Sequence, residues 1–257
     1  MSYRLTFLGS GTSHGVPSIG CKCETCLSTN PKDKRLRSSI LLERNNKNIV
    51  IDTGPEFRIQ CLRADIDHLE AVLYTHTHAD HLNGIDDLRS FTNKERTLPL
   101  YGSLETINEI RERFSYIELG TLNGTTIPNL SLNILKPYQK VSICDFDITP
   151  LVLDHGMLKI FGYKIFNSAY LTDCNHIPSE TYKYLKNLDV LVLDALQHRP
   201  HKTHYTLEQA IEVAREIGAK KTYFTHIAHG INHERDSKLL DSNMELSYDT
   251  LSIELEE

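Results

Sequence analysis

The strongest constraint on the fold of this 257-residue chain is a short segment that places His76, His78, Asp80 and His81 within six residues. The apolar run 71–74 directly before it has the length and composition of a buried strand. Along an extended backbone His76 and His78 occupy alternate positions, and Asp80 and His81 follow where the chain must turn. Imidazole and carboxylate groups are ligands that zinc, iron and manganese accept. The segment therefore predicts a metal site at a strand end rather than a polar surface loop.

A second cluster of metal-binding residue types consists of Cys21, Cys23 and Cys26, in a stretch (14–37) that lacks hydrophobic periodicity. Three thiolates within six residues provide most of the ligands of a tetrahedral zinc site, and a bound ion would brace so long a loop. His229 is the candidate fourth ligand, because it follows by three residues a histidine that a strand end delivers. Reduced loop cysteines without a metal are the alternative.

Hydrophobic patterning alternates between strand-like and helix-like segments, which indicates an α/β fold. Several predicted strands end in a polar residue, and such strand ends build the functional sites of α/β proteins. These residues are Asp52, His76, His155, Asp173, Asp194 and His226. Strands are predicted at 3–8, 39–43, 48–51, 71–74, 98–101, 131–135, 145–153, 159–165, 169–171, 190–193 and 221–224, and helices at 55–64, 84–91, 103–114, 179–186 and 206–217. The polar stretch 120–130 is expected to connect two halves of a single domain over residues 1–257.

Composition bounds the location and the partners of the chain. With 40% hydrophobic residues, a chain of this length can bury a sizeable core. Its formal net charge of −6 predicts a surface that repels nucleic-acid backbones and anionic membranes. The N-terminal apolar run is too short for a secretory signal and no run is long enough for a membrane span, which predicts a soluble, cytoplasmic protein. The six cysteines are then expected to be thiols or metal ligands.

The spacing of the first histidine segment resembles the His-x-His-x-Asp-His motif of the metallo-β-lactamase superfamily of hydrolases. This resemblance implies a four-layer αβ/βα sandwich, in which two facing mixed sheets are flanked by helices. It also implies a dinuclear metal site whose further ligands come from the second half of the chain. One ion would be held by His76, His78 and His155, the other by Asp80, His81 and His226, and Asp173 would bridge them.

Two features narrow the resemblance to the phosphoribosyl cyclic phosphodiesterases, the PhnP-like branch of that superfamily. Gly15-Val16-Pro17 precedes the cysteine segment 20–26, and this branch combines a catalytic metal pair with a structural zinc. The implied activity is metal-dependent phosphodiester hydrolysis, in which two ions activate water against 5-phosphoribosyl 1,2-cyclic phosphate. His204 matches a histidine that assists catalysis, and Asp80 is assigned to catalysis as well as to the metal site. Asp52 would support the metal loop from behind, with a turn-forming aspartate as the alternative.

The cofactors expected from these assignments are two active-site ions and one structural zinc. Manganese or zinc is expected in the active site, with iron as a third candidate, because histidine and aspartate accept all of them. The expected partner is a small phosphorylated substrate, and the acidic surface argues against nucleic acid. A homodimer is the default expectation for the oligomeric state.

Three other functions compete with the cyclic phosphodiesterase. A nucleotide or RNA phosphodiesterase related to the tRNA 3′-processing endonucleases would use the same ligands, but the sequence shows no long insertion for a tRNA-grasping arm. A thioester or lactone hydrolase would also place an aspartate at the second ion. A non-catalytic, metal-braced binding protein would be expected to lack some ligands, whereas all seven residue types are present here.

Overall fold

The computed structural model describes residues 2–117 and 127–257, within which strands and helices alternate. The strands are β1 (Ser2–Gly9), β2 (Ser39–Arg44), β3 (Lys47–Ile51), β4 (Ala71–Leu73), β5 (Leu98–Gly102), β6 (Leu130–Ile134), β7 (Val141–Ile143), β8 (Phe146–His155), β9 (Leu158–Ile165), β10 (Ser168–Leu171), β11 (Val190–Asp194), β12 (Lys221–Thr225), β13 (Met244–Leu246) and β14 (Ser252–Glu256). The α-helices are α1 (Glu24–Leu27), α2 (Phe57–Arg63), α3 (Ala79–Leu82), α4 (Leu104–Arg113), α5 (Ser179–Tyr182), α6 (Leu207–Ile217) and α7 (His233–Asp236), and 3₁₀ segments occur at Pro31–Asp33, Ile85–Phe91, Ser115–Ile117 and Ser237–Leu239. In these described parts of the chain, no helix is both long enough and apolar enough to cross a membrane.

The strands form two seven-stranded mixed sheets. The first has the order β14-β1-β2-β3-β4-β5-β6 and the second the order β13-β12-β11-β10-β9-β8-β7. In the first sheet the pairs from β3 to β6 are parallel, and in the second the pairs from β10 to β13 are parallel. Neighbouring parallel strands end at the same edge of their sheet, so the loops that follow them lie close together.

Side-chain alternation along the strands divides the apolar residues into three layers. In β3, Ile49 and Ile51 lie in the core between the two sheets, whereas Val50 packs with residues of α2 and α4 on the outer face. In β11, Val192 faces the core between the sheets and Leu193 packs with residues of α6. Helices therefore cover the outer face of each sheet. The predicted four-layer αβ/βα sandwich is confirmed.

The predicted elements differ from the observed ones mainly at the ends. The helix predicted at 179–186 is a single turn, α5, because the chain leaves the helix to pack Leu185 and Leu188 into the outer core of the second sheet. The segment predicted as a helix at 84–91 forms a 3₁₀ helix at Ile85–Phe91. The short strands β7, β13 and β14 were not predicted, because three to five residues carry too little pattern. The connection predicted at 120–130 lies partly outside the described residues.

Two hydrogen bonds attach the start of the histidine segment to the second sheet. The hydroxyl of Tyr163 in β9 donates to the backbone carbonyl of Tyr74 at 2.6 Å. The backbone N–H of Phe161 in the same strand donates to the carbonyl of Thr75 at 2.9 Å. Both tyrosines are fully buried. The loop that follows β4 is thereby held against β9, and its position depends on both sheets at once.

We expect Tyr163→Phe to lower the free energy of unfolding by roughly 1–2 kcal/mol, because the buried carbonyl of Tyr74 loses its hydroxyl donor without a change in side-chain packing. Denaturant unfolding of the variant measures this loss. Tyr182→Phe is the matched control, since the hydroxyl of Tyr182 makes a long, exposed contact of 3.4 Å to Glu216. Equal stability of the two variants would contradict a structural role for the bond between the sheets.

Candidate metal centre

The predicted ligands lie at one edge of the sandwich, where strands of both sheets end. His76 follows β4, His155 is the last residue of β8, Asp173 lies two residues after β10, and His226 directly follows β12. Asp173 and His226 adopt left-handed backbone conformations, with φ of 56° and 59°, and so does Asp52 after β3, with φ of 66°. Non-glycine residues in this conformation concentrate at functional sites, where the surrounding structure must compensate for the strain.

The donor atoms form two groups that share one carboxylate. The ligand atoms of His76, His78, His155 and Asp173 lie within 4.8 Å of one another, and so do those of Asp80, His81, Asp173 and His226. In the second group the Nε2 atom of His81 lies 3.3 Å from a carboxylate oxygen of Asp80 and 3.3 Å from one of Asp173. The Nε2 atom of His226 lies 3.1 Å from Asp173. The structure thus brings all seven predicted ligands together, in the two sets that the resemblance implies.

These separations have the size that a bound cation requires. Ligands about 2.1 Å from an ion lie about 3.0 Å apart at right angles and about 3.4 Å apart in a tetrahedron. The Nε2 atoms of His76, His81 and His226 are buried and have no hydrogen-bond partner. Unpartnered buried nitrogens that converge on carboxylates are costly without a cation between them. The donor set therefore fits a pair of divalent ions.

Two of these histidines, His81 and His155, have their opposite ring nitrogens fixed by hydrogen bonds. Nδ1 of His81 donates to Asp52 at 2.7 Å, and Nδ1 of His155 donates to the carbonyl of Thr203 at 3.0 Å. The carboxylate of Asp52 also accepts from the backbone N–H and the hydroxyl of Thr75, each at 2.8 Å. Asp52 thus holds the histidine segment at two points, Thr75 and His81, on the side away from the other ligands. Outer partners of this kind fix the tautomer and the orientation of metal-binding histidines.

The buried carboxylates of the centre are stabilised by positive charge nearby. Burial opposes ionisation of Asp173, yet the neighbouring His226 and His81 hold the pKa of this carboxyl well below its ordinary value. Burial likewise disfavours a charged His81, but the carboxylates of Asp173 and Asp80 raise the pKa of His81 above its ordinary value. A bound cation would supply the same positive charge.

His204, the predicted catalytic histidine, lies beside both ligand groups. Its ring stacks on that of His226, with centroids 4.8 Å apart, and meets the ring of His155 edge-on at 4.8 Å. Nδ1 of His204 donates to a carboxylate oxygen of Asp194 at 3.2 Å, and the backbone N–H of Tyr205 donates to the other oxygen at 3.1 Å. Burial would lower the pKa of His204, but the Asp194 carboxylate raises it above its ordinary value.

Asp194 supports His204, a role that the sequence does not predict although Asp194 directly follows a predicted strand. In the structure it is fully buried and lies 3.2 Å from His204 and 3.5 Å from Nδ1 of His226. Its position as the last residue of β11, between strands that deliver Asp173 and His226, was the available signal.

Two clefts with different walls flank the centre. One, of about 400 Å³, is lined mainly by polar residues, among them Thr12, Ser13 and His204. The other, of about 720 Å³, begins at His76 and Thr77 and has largely apolar walls. A substrate at the centre therefore has room on both sides.

The cysteine segment forms a separate donor cluster. The Sγ atoms of Cys21, Cys23 and Cys26 and a ring nitrogen of His229 lie within 4.8 Å of one another. Nδ1 of His229 is 3.3 Å from the sulfurs of both Cys21 and Cys23. The backbone N–H of Cys26 donates to the sulfur of Cys23 and lowers the pKa of that thiol to about 6, which favours the thiolate form that binds metals. Three thiolates and one imidazole match the donor set of a structural zinc site.

A buried polar network ties the cysteine loop to the segment that carries His229. Arg35 is 1% exposed, pairs with Asp33 at 3.2 Å and donates to the carbonyl of Ile231 at 2.9 Å. Asp33 also accepts from the side chain of Asn232 at 3.0 Å and from the backbone N–H of His233 at 2.8 Å. The loop and the segment after β12 are therefore held together by more than the cysteine cluster.

Comparison with known families agrees with this geometry. A family profile described as "Beta-lactamase superfamily domain" matches residues 47–227. The chain therefore belongs to the metallo-β-lactamase superfamily, and it has the fold of that family's hydrolases. The family implies divalent metal ions, for which the two His/Asp groups are the candidates.

Within the superfamily the chain is similar to proteins with different activities. A solved structure described as a new diphosphatase from the PhnP family is 38% identical, with a TM-score of 0.93 over 99% of this chain and 98% of that one. An octanoyltransferase of Porphyromonas gingivalis is 39% identical over 258 residues, which is 99% of this chain and 52% of that protein. A ribonuclease Z of Listeria monocytogenes is 33% identical over 170 residues, 63% of this chain and 48% of the relative. The chain thus spans about half the length of these two curated relatives.

We expect Asp52→Asn to weaken metal binding at the His/Asp centre by roughly 10- to 100-fold, because the asparagine side chain cannot replace the charge that orients and polarises His81. Titration of metal-free protein with zinc in the presence of a competing chelating dye measures the change. Asp67→Asn serves as the control, since the Asp67 side chain is 85% exposed and contacts only a histidine outside the centre. An affinity equal to that of the control would indicate that Asp52 only shapes its turn.

Proposed function

We propose that this protein is a metal-dependent hydrolase that cleaves a phosphorus–oxygen bond in a small phosphate diester or diphosphate. The observation that carries the proposal is the shared position of Asp173, whose carboxylate lies within ligand distance of both donor groups. A bridging carboxylate is suited to two ions held side by side. Bound there, two ions would supply the positive charge that holds a phosphoryl group and would lower the pKa of an attacking water toward neutrality.

The proposed roles of the chain's residues follow from their positions. His76, His78 and His155 would hold one ion, Asp80, His81 and His226 the other, and Asp173 both. His204 would protonate the departing oxygen or bind the phosphate, because Asp194 engages its Nδ1 and leaves Nε2 free for the substrate. Asp80 would help to orient the attacking water. This role is supported by the ring of His204, which lies against the rings of His155 and His226, one from each of the two proposed ligand sets.

The substrate has two candidates within this reaction type. The resemblance of the cysteine and histidine segments favours 5-phosphoribosyl 1,2-cyclic phosphate. A diphosphate is the second candidate, and the similarity to a PhnP-family diphosphatase along 99% of the chain favours it. The ribonuclease Z relatives make an RNA or nucleotide substrate a further competitor, although the net charge of −6 opposes binding of a polyanion.

The cysteine cluster is proposed to hold one structural zinc, separate from two catalytic ions of zinc, manganese or iron. We expect about three ions per chain. Elemental analysis of desalted protein should show about two ions lost from the double variant His78→Ala/Asp173→Ala and about one lost from Cys23→Ala. Cys144→Ala is the control, because Cys144 lies outside both clusters. A single equivalent of zinc that only Cys23→Ala removes would instead support a metal-braced binding protein.

A substrate panel tests the reaction itself. The metal-loaded protein should hydrolyse bis-p-nitrophenyl phosphate and at least one of the two natural candidates, a cyclic ribose phosphate or a diphosphate diester. His204→Asn should lower kcat by roughly 10²- to 10⁴-fold with its metal content unchanged, because the variant removes a proton donor and no ligand. His176→Asn, which changes a histidine whose side chain is 63% exposed, is the control. Activity on a thioester alone would refute the phosphoesterase proposal.

A further inference from the structure

The cavity of about 720 Å³ that begins at His76 has walls unlike those of a sugar phosphate site. Its inner wall includes Ile160 and Phe161 of β9, which are 3% and 5% exposed. Its outer wall carries four apolar side chains that are at least 48% exposed to water. Clustered apolar side chains at a protein surface often mark a binding site. These are Leu104 of α4, Ile134 of β6, and Met157 and Leu158 at the β8–β9 turn.

The exposed apolar side chains are concentrated at this cavity. Nine large hydrophobic side chains in the described parts of the chain are exposed, and four of these nine line this one cavity. They come from three separate elements, so a single exposed helix face does not account for them. Four charged side chains also line the cavity: Lys159 pairs with Asp154 and Glu109 with Arg113, and the other two are Glu105 and Lys136. The walls that remain for a ligand are therefore mainly apolar.

The cavity adjoins the metal centre at one candidate ligand, His76. His76 lines it and is 5% exposed, and its Nε2 atom has no hydrogen-bond partner. Met157 lies two residues beyond His155, which ends β8. On the other side of the centre, the smaller cleft presents hydroxyl groups of Thr12 and Ser13 beside His204. A molecule that spans the centre would place one end among polar groups and the other among apolar ones.

We infer that the substrate carries an apolar group and that this group binds in the cavity between Leu104, Ile134 and Met157. The inference rests on the proposed phosphate chemistry and extends it to a substrate class. The reacting phosphate lies at the metal ligands, the polar part of the substrate extends toward His204, and the apolar part extends toward Met157. Of the two candidate substrates, this inference therefore disfavours the cyclic ribose phosphate, which has no apolar group for these walls. It favours a diester or diphosphate that carries an apolar group on one side and so fills both clefts.

The test compares the binding of phenylphosphonate and methylphosphonate to the metal-loaded protein by calorimetric titration. Both probes offer the same anionic group, so the difference between them reports on the apolar group alone. Phenylphosphonate should bind at least about tenfold more tightly, as expected for the burial of a ring. Ile134→Thr and Met157→Ser should each reduce this preference several-fold. Leu104→Ser, which changes another side chain of the same wall, is a third variant should either of these fold poorly.

Leu239→Ser is the matched control, because Leu239 is 55% exposed and lies in the 3₁₀ segment Ser237–Leu239, outside this cavity. It should leave the preference unchanged. Equal affinity for the two probes, or a preference that the cavity variants do not alter, would overturn the inference. A dimer, seen by light scattering, that dissociates in Met157→Asp would also overturn it, because a second copy of the chain would then cover these walls.

A hydrolysis assay separates this inference from the proposed function. Bis-p-nitrophenyl phosphate and methyl p-nitrophenyl phosphate have the same leaving group, and their ratio of kcat/KM should fall several-fold in the cavity variants. Hydrolysis of both compounds with no change in that ratio would refute the apolar site and leave the phosphoesterase proposal standing. Absence of hydrolysis, together with a phenylphosphonate preference that Ile134→Thr reduces, would refute the phosphoesterase proposal and leave the apolar site standing.

Discussion

The structure depends on the burial of carboxylates among imidazoles at the edge where the two sheets meet. Asp173 is 2% exposed, and its oxygens lie within 4 Å of His76, His81 and His226. Burying a charge in this way is costly unless other charges and hydrogen bonds compensate for it. The compensation comes from strands of both sheets, so the centre can form only when the sandwich is complete. The left-handed conformations of Asp52, Asp173 and His226 are part of the same requirement, because the surrounding structure must hold them.

A ring of hydrogen bonds outside the ligands gives the centre its orientation. Asp52 fixes His81 and the backbone of Thr75, and Asp194 fixes His204 and the backbone of Tyr205. Each of these aspartates follows or ends a strand, and each bonds to one ring and one backbone N–H. In each sheet, an aspartate at a strand end thus orients one histidine ring of the centre. The histidine segment and His204 are therefore positioned by separate sets of hydrogen bonds.

The segment after β12 connects the cysteine cluster to the His/Asp centre. His226 belongs to the His/Asp centre and His229 to the cysteine cluster, so three residues separate the two sites. The buried pair Arg35–Asp33 holds the same segment through Ile231 and Asn232. The long loop at 14–37 therefore packs against the wall of the polar cleft, to which His14 and Ser18 contribute.

The sequence by itself determined the local part of this protein: the histidine segment, the three cysteines, and the strands and long helices whose periodicity states which face is buried. The seven candidate ligands and His204 were predicted because a family motif supplied the pairing of distant residues, which spacing alone could not. Only the tertiary structure decided that Asp194 supports His204, that α5 stops after one turn, and that Met157 and Ile134 share a cavity with His76. These facts depend on contacts between residues far apart in the chain, and such contacts are set by how the two sheets pack, which no local pattern of hydrophobicity encodes.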